Sequence, residues 1–287
     1  MFVGVVCHGA FVRFDGNDYT RTRQIVQGSS MSAFGVFEAW RQRPVPDQAE
    51  VRRRRTGCRA WPIDRDGPLH GEPMVNLDTC GIAGENYYWS DRNPPYWQRI
   101  EGSVPELWSR RSVARRLENV NATLARAGLE LFVFDAWRPR AVQAYFHDVW
   151  MPAQLKKHRP DLTGAALTTE IERYWAAPTK DENSPAPHAT GAAVDLSIRW
   201  IGGELLWMGS LFDDVTQIAH RDHFERNAPA MCFSDNEARA NRRLLHWAMS
   251  KQGFSGHAEE WWHFSWGDQM WAAVNGEKAA CYGPAEP

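Results

Sequence analysis

Two segments of this chain hold the residue types needed for metal-assisted hydrolysis. The first runs Ser184-Pro185-Ala186-Pro187-His188-Ala189-Thr190-Gly191-Ala192-Ala193-Val194-Asp195, with a His and an Asp seven apart and a Gly between them. The second, far downstream, is Glu260-Trp261-Trp262-His263. His188, Asp195 and His263 make a donor set that can hold one Zn2+ and leave its fourth position open to water. The remaining carboxylate, Glu260, can take that water's proton. The zinc-helix pattern H-E-x-x-H, a Walker loop, G-x-G-x-x-G and a G-x-S-x-G elbow are absent, so no other constellation supplies a complete set of catalytic parts.

Donors to one ion must converge. Residues seven apart on a regular strand face opposite sides, because the side-chain period is two. His188 is therefore expected on a loop that turns at Gly191, with Asp195 on the strand that follows. Glu260 and His263, three apart, meet the same obstacle. Glu260 is expected in the turn after Gly256 and His263 on the strand proper, so that Glu260 projects beside the metal. The competing reading is bland: among ten His, a lone His is usually a surface or satisfied core residue, and Asp195 could simply cap a turn. The distant Glu-x-x-His weighs against that reading. His220 and His223 are also three apart but have no carboxylate base attached, and they are expected at the surface.

The elements that position these residues follow from hydrophobic periodicity. Residues 105 to 127 read as a helix with Leu107, Trp108, Val113, Leu117, Val120 and Leu124 on one face and Gly128 as its stop. Leu129 to Phe134 reads as a central strand, Asp135 to Pro139 as a turn, and Arg140 to Val149 as a helix opened by Pro139. A helix is expected near Thr168 to Ala176. Strands at Ala192 to Ile198 and Glu204 to Trp207, joined at Gly202-Gly203, read as a hairpin. The strongest helix signal is Asp235 to Gln252, with Asp235 and Asn236 as caps, and Trp261 to Trp266 closes the set as a strand. Few strands with helices segregated among them imply an α+β fold: a small mixed or antiparallel sheet flanked by helices, with the site in a central cleft.

Residues 1–60 lack sustained periodicity. They carry Gly-Ser-Ser, Arg-Pro-Val-Pro and the run Arg52 to Arg55, and they read as an extension, partly disordered or, with translation starting at Met31 or later, absent. Residues 61–287 read as the globular domain. The four-Arg run reads as a solvated linker. A net charge of −2 gives no electrostatic reason to expect nucleic acid or a membrane surface as partner. Five scattered Cys read as free thiols, with a bridge such as Cys80–Cys281 the alternative. The first residues make a poor signal peptide, and no apolar run approaches the roughly 20 residues of a membrane span. The expected location is the cytoplasm, the periplasm being the alternative.

The pattern H-x6-D followed by E-x-W-H resembles the zinc D-Ala-D-Ala metallopeptidases. Within that clan the chain is most similar to the VanX-type D-alanyl-D-alanine dipeptidases. Asp135-Ala136-Trp137-Arg138-Pro139 resembles the family's D-x-Y-R-P, with Trp for Tyr, and Met208-Gly209-Ser210-Leu211-Phe212-Asp213 resembles its M-G-S/T-x-F-D. Asn241 to Leu245, Gly253-Phe254 and Glu260 to Phe264 match its C-terminal run, so the resemblance covers roughly residues 105 to 267. It implies one zinc held by His188, Asp195 and His263, Glu260 as catalytic base and Arg138 as transition-state stabiliser. It places Asp213 at the free amine of a dipeptide substrate, and Ser184 or a backbone amide is expected at the carboxylate end. Residues 62 to 104 match only vaguely, with Tyr87 or Tyr88 as pocket candidates. The alternatives are a D,D-carboxypeptidase or peptidoglycan endopeptidase of the same clan and, from another class, a non-catalytic zinc or cell-wall binding protein. The 15 Trp suit that last reading less than they suit a core.

Overall fold

Residues 33–226 and 232–287 are described by a computed structural model. Its centre is the strand expected from LELFVF, β4 (Leu129–Asp135), on which Leu129, Leu131 and Val133 are buried. With β2 (Ala83–Gly84), β5 (Ala193–Trp200), β6 (Ser255–Gly256) and β7 (His263–Ser265), it forms a sheet of order β2-β4-β5-β7-β6. The β2–β4 pair is parallel and the others antiparallel, the small mixed sheet expected. A separate antiparallel pair joins β1 (Met74–Asn76) to β3 (Trp108–Arg110).

Helices cover the sheet. α3 (Arg111–Leu124) buries Val113, Leu117, Val120 and Leu124, the face read from the sequence, and a 3-10 turn then ends at Gly128. Each such aliphatic side chain, fully buried, contributes roughly 1.5–3 kcal/mol. The helix begins later than its apolar pattern suggested, because Trp108–Arg110 pairs with β1 instead. α8 (Phe233–Lys251) buries Leu244, Leu245, Ala248 and Met249. Its cap is Cys232, with Asp235 at the third helical position returning a bond to the Cys232 N–H, so Asp235 closes a capping box from inside the helix.

Other boundaries moved for identifiable reasons. The helix from Arg140 does not stop at 149. α4 (Arg140–Ala144) widens into a π-helical turn, Tyr145–Trp150, and resumes as α5 (Met151–His158), with Pro152 in the first turn where its missing N–H is tolerated. The helix expected near 168–176 lies earlier, as α6 (Gly164–Glu172), which frees Trp175 and Ala176 to line the cleft. The second strand of the 192–207 hairpin reduces to a single bridge, Arg199 to Leu205. Short α7 (His223–Arg226) precedes α8, and α9 (Gln269–Asn275), capped by Asp268, follows β7.

The N-terminal expectation changes most. From Ala33 onward the segment is helical and lies on the domain, so the boundary at 61 does not separate an arm from a body. α1 (Ala33–Gln42) holds α8 through Arg41, which bonds Glu237 at 2.9 Å, and the Arg43 guanidinium stacks 3.4 Å from the Trp247 ring centroid. α2 (Ala49–Arg55) carries the four-Arg run. Far from a solvated linker, it pairs Arg52 with Asp222 at 3.0 Å and with Glu259 at 3.1 Å. Helices this short show little periodicity, and their partners lie far along the chain. The expectations for residues 1–32, including a start at Met31, fall outside the described residues. Cys58, Cys80, Cys232 and Cys281 are free thiols. Among the described residues no helix is long and apolar enough to cross a membrane.

Candidate active site

The obstacle of seven-residue spacing is met by local backbone geometry. Pro187–Thr190 forms a 3-10 turn that carries His188, and Gly191 leaves it at φ 69°, a left-handed conformation open to glycine. A Cβ there would also run into Met74 Sδ and Cε. The chain then enters β5, where Asp195 sits opposite Asp135 of β4 on one side and His263 of β7 on the other. The sheet register thus sets three functional side chains in one row across adjacent strands. His188 reaches the row from the turn.

His188, Asp195 and His263 are buried, and each offers a donor atom within 4.8 Å of the other two. His188 Nε2 lies 3.1 Å from His263 Nδ1 and 3.3 Å from Asp195 Oδ2, and His263 Nδ1 lies 3.0 Å from Asp195 Oδ1. The far ring nitrogens define the tautomers. His188 Nδ1 faces two acceptors, the Ala136 carbonyl at 2.7 Å and Asp135 Oδ2 at 3.1 Å, so it carries the proton and leaves Nε2 a lone pair. His263 Nε2 faces Ser265 Oγ at 3.3 Å, two residues along on the same face, which directs its Nδ1 to the centre. Two lone pairs and a carboxylate converging in a buried place suit a divalent cation.

Glu260 lies in the turn before β7, as expected. Its Oε2 is 3.7 Å from His263 Nδ1. Burial, with the negative charge of Asp195 next, pushes its carboxyl well above the usual range. The turn is held from beneath by Arg221, a residue the sequence did not single out. The Arg221 guanidinium donates to the carbonyls of His257, Glu260 and His263 at 3.0, 3.1 and 2.8 Å. Gly256 makes this possible, since a Cβ would sit 2.2 Å from the guanidinium carbon.

Arg138 follows β4 and is buried. It donates from Nε to Asp135 Oδ2 at 2.9 Å, from Nη1 to Gln143 Oε1 at 2.8 Å, and from Nη2 to Asp195 Oδ2 at 3.2 Å. The Asp135–Arg138 pair across the turn and the approach to the donor cluster therefore coexist. Burial opposes its charge, but Tyr88 and the carboxylates of Asp135 and Asp195 outweigh that and hold the guanidinium above its ordinary value.

Asp213 adopts φ 60°, which Asp tolerates better than most residues. Its Oδ2 accepts from Tyr88 and Tyr96 hydroxyls, both at 2.9 Å. Tyr88 is thus the partner behind the pocket wall, while Tyr87 packs on Phe212. Burial, followed by the charge of Asp195, raises the Asp213 carboxyl to about 7. The folded chain then keeps a proton that the unfolded chain releases above about 4. Stability of the metal-free protein accordingly falls as pH rises from about 4 to 7, by on the order of 4 kcal/mol. Asp213→Asn keeps an acceptor for both tyrosines and cannot ionise. With chelator present at pH 8 its melting temperature is expected above that of the parent, the gap closing toward pH 4. An unchanged melting temperature at pH 8 would contradict a buried charge at this position.

His188, Asp195, His263, Glu260, Arg138 and Asp213 line one cavity of about 850 Å³, which also takes in Ser184. His220, expected at the surface, is buried and faces the same cavity, because its 3-10 turn packs beneath the Glu260 loop, with Trp261 N donating to Ala219 O at 3.0 Å. His223 is partly exposed.

The sequence profile of a peptidase family described as D-ala-D-ala dipeptidase matches residues 106–279. The D-alanyl-D-alanine dipeptidase of Synechocystis sp. is 31% identical over 238 residues, covering 75% of this chain and 93% of that protein. The protein of the same name from Escherichia coli is 33% identical over 138 residues, 48% of this chain and 55% of its own length. That from Enterococcus faecium is 32% identical over 154 residues, 53% and 69% respectively. With the profile spanning more than half of the sequence and the Synechocystis relative aligned over nearly its whole length, the chain belongs to the D-Ala-D-Ala dipeptidase family of peptidases.

Proposed function

We propose that this chain hydrolyses D-alanyl-D-alanine to free amino acids, with Zn2+ held by His188, Asp195 and His263. The observation that carries the reading is the buried cluster of three donors with the Glu260 carboxylate beside it on a common cavity. Zinc bound there supplies Lewis acidity and brings the pKa of its water down toward about 7.

The protein's own groups do the rest. Glu260 accepts the proton of the attacking water and delivers it to the leaving amine. Arg138, permanently charged and braced by Asp135 and Gln143, stabilises the oxyanion, a contribution typically worth about 10²–10³ in kcat. Asp213 pairs with the substrate's free ammonium, and the proton its raised carboxyl holds is released to solvent when that cation arrives. A peptide without a free amine leaves the buried Asp213 carboxyl without a cationic partner, which selects against longer or blocked substrates. Ser184 stands at the carboxylate end.

Purified zinc-loaded protein should be offered D-Ala-D-Ala, L-Ala-L-Ala and acetylated D-Ala-D-Ala, with a chelator control. Chelator-sensitive cleavage of free D-Ala-D-Ala alone is expected. Equal cleavage of the acetylated compound points instead to the carboxypeptidase activity of the clan, and no cleavage of any of the three sinks the reading.

A further inference from the structure

We propose that Arg59 binds the C-terminal carboxylate of the substrate, an inference that rests on the dipeptidase function proposed above. Arg59 lies on a short 3-10 turn, Cys58–Ala60, that follows α2, in a segment outside the stretch matched by the family profile. Gln269 clamps this turn, donating to the carbonyls of Arg59 at 3.0 Å and Trp61 at 2.5 Å. Arg59 lines the same cavity as His188, Asp195 and His263. Its Nη2 donates to the Ser184 carbonyl at 2.6 Å, which anchors it beside the segment that runs into His188.

What sets Arg59 apart is its unanswered charge. Arg52 is paired with Asp222 and Glu259, Arg55 with Glu259 at 3.3 Å, and Arg173 with Glu170 at 3.3 Å. Arg59, by contrast, forms no ion pair among the described residues. Its Nε is enclosed without a hydrogen-bond partner, and its Nη1 bonds no protein atom among the described residues. Burial holds its guanidinium below the ordinary range, with only partial relief from the charge of Glu172. A half-buried guanidinium that faces a cavity and lacks an acidic partner is matched by a carboxylate, whose two oxygens fit its fork.

The cavity then offers opposite charges to a zwitterion, with Asp213 for the ammonium and Arg59 for the carboxylate. A dipeptide held at both ends is oriented before chemistry begins. Because this contact exists in the ground state and in the transition state alike, its loss raises KM and spares kcat.

The test uses zinc-loaded full-length protein with D-Ala-D-Ala and its C-terminal amide. The parent should prefer the acid. Arg59→Gln should raise KM for the acid roughly tenfold to hundredfold at similar kcat, as for loss of a charge-assisted hydrogen bond. KM for the amide should stay the same, so the preference collapses. Arg59→Lys, which keeps the charge and the packing of the stem, should retain a preference for the acid with an intermediate KM, and it carries the test should the Gln variant fail to fold. An acid-to-amide ratio unchanged in Arg59→Gln, or an unchanged KM in Arg59→Lys, overturns the assignment while leaving the dipeptidase reading intact. A parent protein that cleaves neither compound overturns the dipeptidase reading and the subsite with it.

Discussion

Glu260→Ala is expected to lower kcat for D-Ala-D-Ala by about 10²–10⁴-fold while the purified variant still holds one zinc per chain. The two halves of that result have separate causes. The proposed donors to the metal are His188 Nε2, a carboxylate oxygen of Asp195 and His263 Nδ1, which face one another without help from Glu260. Removing the Glu260 side chain leaves them in place, because the turn that carries it is held by bonds from Arg221 to backbone carbonyls. The same substitution deletes the carboxylate whose Oε2 lies 3.7 Å from His263 Nδ1. Stability should not suffer, since burial already disfavours the charged form of Glu260. Zinc content by elemental analysis and steady-state kinetics on the same preparation check both halves. Retained hydrolysis would remove Glu260 from the role of base, and lost zinc would make it a ligand.

His188→Ala should instead abolish both zinc binding and turnover. Changing an outer-shell partner of a metal ligand typically costs about 10–100-fold in affinity, and deleting a ligand itself should exceed that. Two donors remain, Asp195 and His263, too few for a stable tetrahedral site. The lost ring also leaves the Ala136 carbonyl without its His188 donor, while Asp135 Oδ2 keeps its bond from Arg138. Elemental analysis after dialysis against micromolar zinc should find far less than one equivalent, with far-ultraviolet circular dichroism close to the parent, because His188 lies on a 3-10 turn outside the hydrophobic core. Stoichiometric zinc in this variant would refute the ligand assignment.

The same two substitutions show how the site is divided between local and distant information. The turn–glycine–strand arrangement around His188, Gly191 and Asp195 was readable from local sequence. A strand of period two forbids a shared ion at seven-residue spacing, and glycine is the residue that lets the chain turn. Central strand β4 and the buried face of α3 were readable for the same reason, as their apolar residues recur at the period of the element. Misplaced boundaries cluster where local pattern and packing disagreed. Trp108 continues the helical apolar face yet pairs as strand with β1. Glu204 to Trp207 has strand-like residues but finds only one bridge.

By itself, then, the sequence determined the donor types, their order and the local geometry that makes convergence possible, because those depend on side-chain chemistry and on backbone periods of a few residues. Tertiary structure decided everything that depends on which distant groups share a low-dielectric space. It aligned Asp135, Asp195 and His263 in one row of the sheet. It brought Tyr88 and Tyr96 to Asp213 from 125 and 117 positions away, and Arg59 to Ser184 from 125 away. It also turned the four-Arg run from an apparent linker into part of the cavity wall, through Arg52 and Arg55. Contacts over such separations leave no periodic trace in any local window. The burial that raises Asp213 and Glu260 exists only once the walls have closed around them.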